Sequence, residues 1–387
     1  MSEAAAAASA GSGEHAVTPL ELFFDLVFVF SITQVTALLT HDPSWHGVIR
    51  GALALAAVWW AWTGYAWLTS TLDVGEGGVR LLVLAATAAM LGLALALPQA
   101  FGDDAILFGL SFLAVRVLHV GLYAYAGKDD PDLLHALLRI APTELIGALL
   151  LLAAAFLSGD WRIGIWILAL AVDYLGPAVV PLHGWRIAPE HFAERYGLVV
   201  LIALGESVIA IGVGAGFELT APVIGAAALG VVVISALWWL YFDVAALFAG
   251  RALVHAQGVA QARLARDAYS YLHLPMVAGI VFFAFALETT LHDITATLDP
   301  LPAVALCTGA ALYLIAQVAF LWRSTGRIFR RRTLGAAVLI ALIPAALNLP
   351  AVAALAIVST VCSLVVAYEA IRHREHRSQI RHPELTG

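Results

Sequence analysis

The sequence predicts an all-α fold, a polytopic bundle of about twelve membrane-crossing helices, and three observations carry that prediction. Of its 387 residues, 62% are hydrophobic and only 12% are charged. Mean hydropathy is +0.91, whereas soluble domains run about half apolar and about a quarter charged. The apolar residues also fall into separate stretches close to the length, about 20 residues, that a helix needs to cross hydrocarbon with its backbone bonded internally.

Taken in order, residues 1–17 open with MSEAAAAASAGSGEHA and lack the basic and leucine-rich regions of a cleaved signal peptide, so they read as a flexible tail. Thr18, Pro19 and Glu21 then spell a capping box with proline in the first turn. Apolar stretches follow at 19–41, 47–69, 79–98, 104–126, 133–157 and 161–181. Six more lie at 195–216, 221–248, 268–290, 301–322, 333–347 and 350–371, the eleventh short enough to leave its crossing open. Residues 18–190 and 191–371 thus form two six-helix halves. Trp59 and Trp60 in the second helix correspond to Trp238 and Trp239 in the eighth, and Glu21 to Glu194, as in a parallel repeat.

Basic residues are distributed unevenly. Arg80, Lys128, Arg186, Arg195, Arg251, Arg263, Arg266, Arg323, Arg327 and Arg330 to Arg332 fall in the even-numbered loops, with Arg50 and Arg162 nearly alone in the odd ones. The positive-inside rule then places both termini in the cytoplasm of a bacterial inner membrane, which requires an even number of crossings. Residues 372–387 read as a basic cytoplasmic tail whose His373, His376 and His382 suit anionic lipid better than a metal. The formal charge of -7 is scattered over short loops and buried positions, which argues against nucleic-acid binding. Cys307 and Cys362 lie inside apolar segments as small buried hydrophobes.

Ionisable residues at membrane depth carry the functional information, because each costs about 2.5 to 3.5 kcal/mol at a helix centre. The candidates for substrate or ion binding are Asp25, Arg116, His119, Glu144, Asp173, Glu206, His273 and Glu288. Those for interface, capping or gating roles are Glu21, His191, Glu194, Arg195 and Asp243. Asp173 and Glu206 fall near the midplane at 1.5 Å per residue, and Arg116 at comparable depth would best offset their cost by pairing with one of them. Each residue also has a plainer reading. Glu21 can be only a helix cap, Arg116 only half of a structural ion pair, and His119 either a proton carrier or a core histidine bonded to a carbonyl. Gly212 and Gly216 have the spacing of close helix packing, and Trp59, Trp60, Trp62 and Trp67 that of interfacial and packing residues.

Several chemistries lack their motifs: there is no HExxH, P-loop, TVGYG filter or usable GxSxG, and no metal or cofactor is expected. VTPLELFFDLVFVFSITQVT at 17–36 resembles the opening signature of the bacterial low temperature requirement protein A family. DYLGP (173–177), HFAERYGLVVLIALGES (191–207), WWLYFD (238–243) and HLPMVAGIVFFAFALE (273–288) resemble its later blocks in the same order. The resemblance implies a polytopic membrane protein linked by name to growth in the cold, without a substrate. The expected function is secondary transport of a small solute coupled to a proton or ion, with the bilayer as partner. A channel, a membrane enzyme and a structural or stress-response component stand as alternatives.

Overall fold

Helices begin where the chain offers the caps. In the computed structural model, which describes residues 17–72, 77–216 and 219–372, Thr18 accepts the backbone N–H of Glu21 while the Glu21 carboxylate accepts from Thr18, closing the expected capping box. Ser44 and Asp130 cap the second and fifth helices by accepting backbone N–H groups of the first turn. The expected tails lie outside the described residues, with His373, His376 and His382.

The rods are α1 (Pro19–His41), α2 (Trp45–Thr69), α3 (Gly77–Ala96), α4 (Ala105–Ala126), α5 (Pro131–Ala154) and α6 (Gly159–Val179). They continue as α7 (Pro189–Ala215), α8 (Ala221–His255), α9 (Gly258–His292), α10 (Pro300–Thr325), α11 (Arg330–Ala341) and α12 (Ala351–Arg372). Among the described residues, 10 helices are long and apolar enough to cross a membrane. The 25-residue α2 has the length but is diluted by its tryptophans, tyrosine and glycines. α11 has only 12 residues and is followed by one further turn, Ile343–Ala346. Pro344 explains the break, since it has no N–H to donate and its ring crowds the carbonyl four residues back.

Contacts between helix ends show that the rods alternate in direction. Ser70 after α2 bonds Ala188 before α7, Arg266 near the start of α9 donates to the Pro177 carbonyl at the end of α6, and Arg332 at the start of α11 binds Glu369 at the end of α12. The face where α1 begins, here the N-face, therefore gathers the ends of the even-numbered helices and most of the arginines. On the opposite face Arg50 pairs with Asp42, and Arg162 donates to the Phe101 carbonyl.

The interior is aromatic. Trp59 and Trp62 are completely buried, which places them in the core and not at a membrane interface. Trp60 stacks on Tyr174 and on Tyr271, with centroids 4.1 and 5.3 Å away. Trp238, by contrast, is exposed on the bundle surface.

Glycine permits the close helix crossings. A Cβ on Gly279 of α9 would lie 2.6 Å from the carbonyl oxygen of Gly309 on α10, and one on Gly309 would lie 2.6 Å from the Phe283 nitrogen. Gly212 and Gly216, expected to be packing glycines, instead have open space at their Cβ positions. On α7 it is Gly214 that presses on α9, where a Cβ would meet Glu288 and Leu291. Replacing Gly309 with leucine is therefore expected to destabilise the bundle by about 3 kcal/mol or more, because backbone cannot yield as a side chain can. Gly212→Leu should leave thermal unfolding in detergent nearly unchanged, and equal melting temperatures for the two variants would show the crossing to be softer than its geometry.

Candidate functional site

Among the described residues, three polar groupings hold most of the expected site residues. The first joins α1, α2 and α7. Asp25 and Glu21 are four residues apart on one face of α1, and Arg195, one and a half turns into α7, reaches both. Its guanidinium bonds Asp25 and lies 3.5 Å from Glu21. It also donates to the Thr69 hydroxyl at 2.6 Å. Trp62 donates its indole N–H to Asp25 at 2.7 Å and presents its ring to Arg195, whose guanidinium carbon is 5.6 Å from the centroid. His191 meets Glu21 at 3.1 Å. Glu21 is thus both a helix cap and a member of a buried ion network. Glu194, between these residues in sequence, is exposed and outside it.

A second grouping joins α4, α5 and α6. Arg116 donates to Asp173 at 2.5 Å, with both side chains 1% exposed. One turn along α4, His119 meets Glu144 of α5 at 2.9 Å. Of the two partners the sequence offered for Arg116, the structure pairs it with Asp173. These residues stand beside a narrow cleft of about 60 Å³, lined among others by Trp60, Gly64, Arg116, His119, Glu144 and Arg266. Arg266 and Pro177, partly exposed at the N-face, mark its mouth. Buried polar atoms on its lining residues without a hydrogen-bond partner include His119 Nε2, Arg116 Nε and Trp185 Nε1. A cleft this size holds a few water molecules, which polar groups of this kind require.

The third grouping lies toward the opposite face. Glu206 is 11 residues beyond Arg195, about 16 Å along α7, and accepts from the Thr33 hydroxyl at 2.6 Å. Glu288 of α9, half-buried, lies within electrostatic reach of Glu206 and beside Thr40. Asp25, Arg116 and Glu206 therefore have three different sets of partners.

His273 is bonded at both ring nitrogens. The Ala268 carbonyl can only accept, so Nδ1 donates to it at 3.1 Å, and Nε2 meets the Tyr241 hydroxyl at 2.8 Å, a bond that a neutral ring accepts. Tyr241 and buried Asp243 belong to a π turn, Tyr241–Ala245, inside α8. A second π turn, Ala265–Tyr271, brings in Ser270, whose carbonyl accepts from Trp59 at 2.8 Å and whose hydroxyl meets Trp67 at 2.9 Å and Tyr196 at 3.0 Å. Sequence reasoning missed Ser270, because a small hydroxyl residue carries no signal of its own. It also missed the buried Arg332, which reads as one of three loop arginines but binds Glu369 at 2.9 Å and Gln317 at 2.7 Å.

Ten long apolar helices closed around buried ion pairs define an integral, polytopic membrane protein in contact with the lipid bilayer. The chain belongs to the bacterial low temperature requirement A protein family, whose model matches residues 16–367. A curated protein of Rhizobium meliloti (strain 1021), itself described as uncharacterized, is 34% identical over 280 residues, which cover 68% of this chain and 67% of that one. No solved structure matches the chain.

Proposed function

We propose that this protein is a secondary transporter of a small solute, driven by a proton or another small ion, with the cleft between α2, α4, α5, α6 and α9 as its central site. The carrying observation is that Arg116, His119 and Glu144 border a single cleft while polar atoms on its lining lack protein partners. Buried charges that only hold a fold are satisfied by one another, whereas a transport site leaves valences for water, ion or solute. The narrowness of the cleft favours a solute of few atoms, or one admitted only after helices move. Arg116 and Glu144 place opposite charges there, and loading or releasing a cation would shift the balance between them.

The same reading places the N-face in the cytoplasm of a bacterial inner membrane, supported by the concentration of arginine there and the positive-inside rule. It also treats 18–190 and 191–371 as two halves whose relative movement opens the site to alternate sides. Arg195, bonded to both Asp25 and Glu21, with His191 on Glu21, then makes a latch between the halves at the N-face.

Purified protein in liposomes, with lumenal pH and membrane current recorded during a screen of small solutes, tests the proposal. Solute-dependent ion movement that disappears in a folded Glu144→Gln variant is the expected result. Large solute-independent currents would favour a channel instead, and silence across a broad screen in folded, correctly oriented protein would defeat the transport reading.

A further inference from the structure

The geometry points to His119 as the proton carrier of the cleft, with Glu144 as its fixed counter-charge, so that the driving ion is a proton; this rests on the transport reading above. An ionised Glu144 can only accept, so the 2.9 Å contact places a hydrogen on His119 Nδ1. Nε2 is left with its lone pair and no protein partner, although the side chain is only 3% exposed. It points at Gly64 of α2, where an added Cβ would stand 2.9 Å from it. Gly64 and His119 both line the cleft, so the absence of a side chain at 64 is what leaves space beside that nitrogen.

Of the other titratable and charged groups around the ring, Tyr65, Arg116 and Arg266 are engaged elsewhere, while the Tyr123 hydroxyl has no bonded partner. Tyr65 of α2, 5.4 Å away between centroids, donates its hydroxyl to the Val115 carbonyl at 3.0 Å. Tyr123 of α4 packs edge-on at 5.0 Å. Arg116 is held by Asp173 of α6, and Arg266 of α9 by Asp267 at 2.6 Å. His119 is therefore the group that can change charge with a partner already in place. The step is a proton transfer: an O–H bond of a hydronium in the cleft breaks, an N–H bond forms at Nε2, and a neutral water remains. The imidazolium keeps its Nδ1–H bond to the Glu144 carboxylate, and release reverses these events.

His273 supplies an internal control, since both of its ring nitrogens are bonded within the protein. The full chain, labelled with 15N-histidine and reconstituted in liposomes, would be followed by solid-state NMR from about pH 8 to about pH 5, the range in which histidine charge ordinarily changes. Subtraction of the His119→Gln spectrum assigns the ring. His119 Nε2 should pass from unprotonated to protonated while His273 stays in one neutral form. Gly64→Ala, which sets a Cβ 2.9 Å from Nε2, should suppress that change while the His273 signals stay as in the wild type. A His119 fixed in one protonation state, in protein that still moves solute with protons, would overturn the assignment and leave transport standing. Titration without any solute movement by the wild type would overturn both.

Discussion

Arg195→Ala is expected to leave little folded protein, the largest loss of any single substitution in the bundle. Arg195 is fully buried, and its guanidinium serves Asp25, Glu21 and Thr69 together. Removing it strands two carboxylates, one of them completely buried, and breaking a buried pair in this way costs about 3–5 kcal/mol. Set against a typical total stability of about 5–15 kcal/mol, that is a large share. Arg195→Lys should recover only part of it, because an ammonium cannot reproduce the planar fork that spans two partners. Glu194→Ala, one residue away but exposed, should change stability by no more than about 0.5 kcal/mol. Yield of monodisperse protein and thermal unfolding in detergent report all three. An Arg195→Ala protein as stable as Glu194→Ala would mean that water enters the network freely.

The second large effect concerns Arg116 and Asp173. Each is 1% exposed and bonded to the other at 2.5 Å, so Arg116→Leu or Asp173→Leu alone should again cost about 3–5 kcal/mol by leaving one buried charge uncompensated. The double variant should be more stable than either single one, since a matched apolar pair removes the desolvation cost of both ions. A double-mutant cycle measures that coupling, expected to exceed about 2 kcal/mol and to lie at the upper end of values for contacting residues. Additive effects would deny the pair any interaction in the membrane. The double variant also separates fold from function. If Arg116 serves the cleft as proposed, the repaired protein should fold and still fail to move solute. Full transport by the double variant would make the pair purely structural.

Much of the architecture was legible in the sequence because lipid imposes it. Segments near 20 apolar residues must become helices, since nothing in hydrocarbon can bond an open backbone, and Thr18, Pro19 and Glu21 announce the first helix through local bonds alone. The eleventh segment was visibly short, and the break at Pro344 accounts for it. Membrane depth likewise singled out Asp25, Arg116, His119, Glu144 and Asp173, because an ionisable residue there is expensive wherever it points.

Partnership could not be read in the same way. Arg195 looked like one of many arginines at a helix start, yet its exposure is nil, while Glu194 looked like its companion and faces outward. Gly212 and Gly216 had the spacing of a packing motif, but Gly214, Gly279 and Gly309 are among the glycines at close approach, and those two are not. Spacing along one helix fixes which residues share a face and says nothing about the helix opposite. The sequence by itself determined that the chain crosses the bilayer, where its helices lie and which residues are costly to bury. Only the tertiary structure decided that Asp25 answers Arg195, that Arg116 answers Asp173 and that His119 keeps one nitrogen open to a cleft, because ion pairing depends on contacts of about 3 Å between segments as far apart in sequence as Asp25 and Arg195, 170 residues.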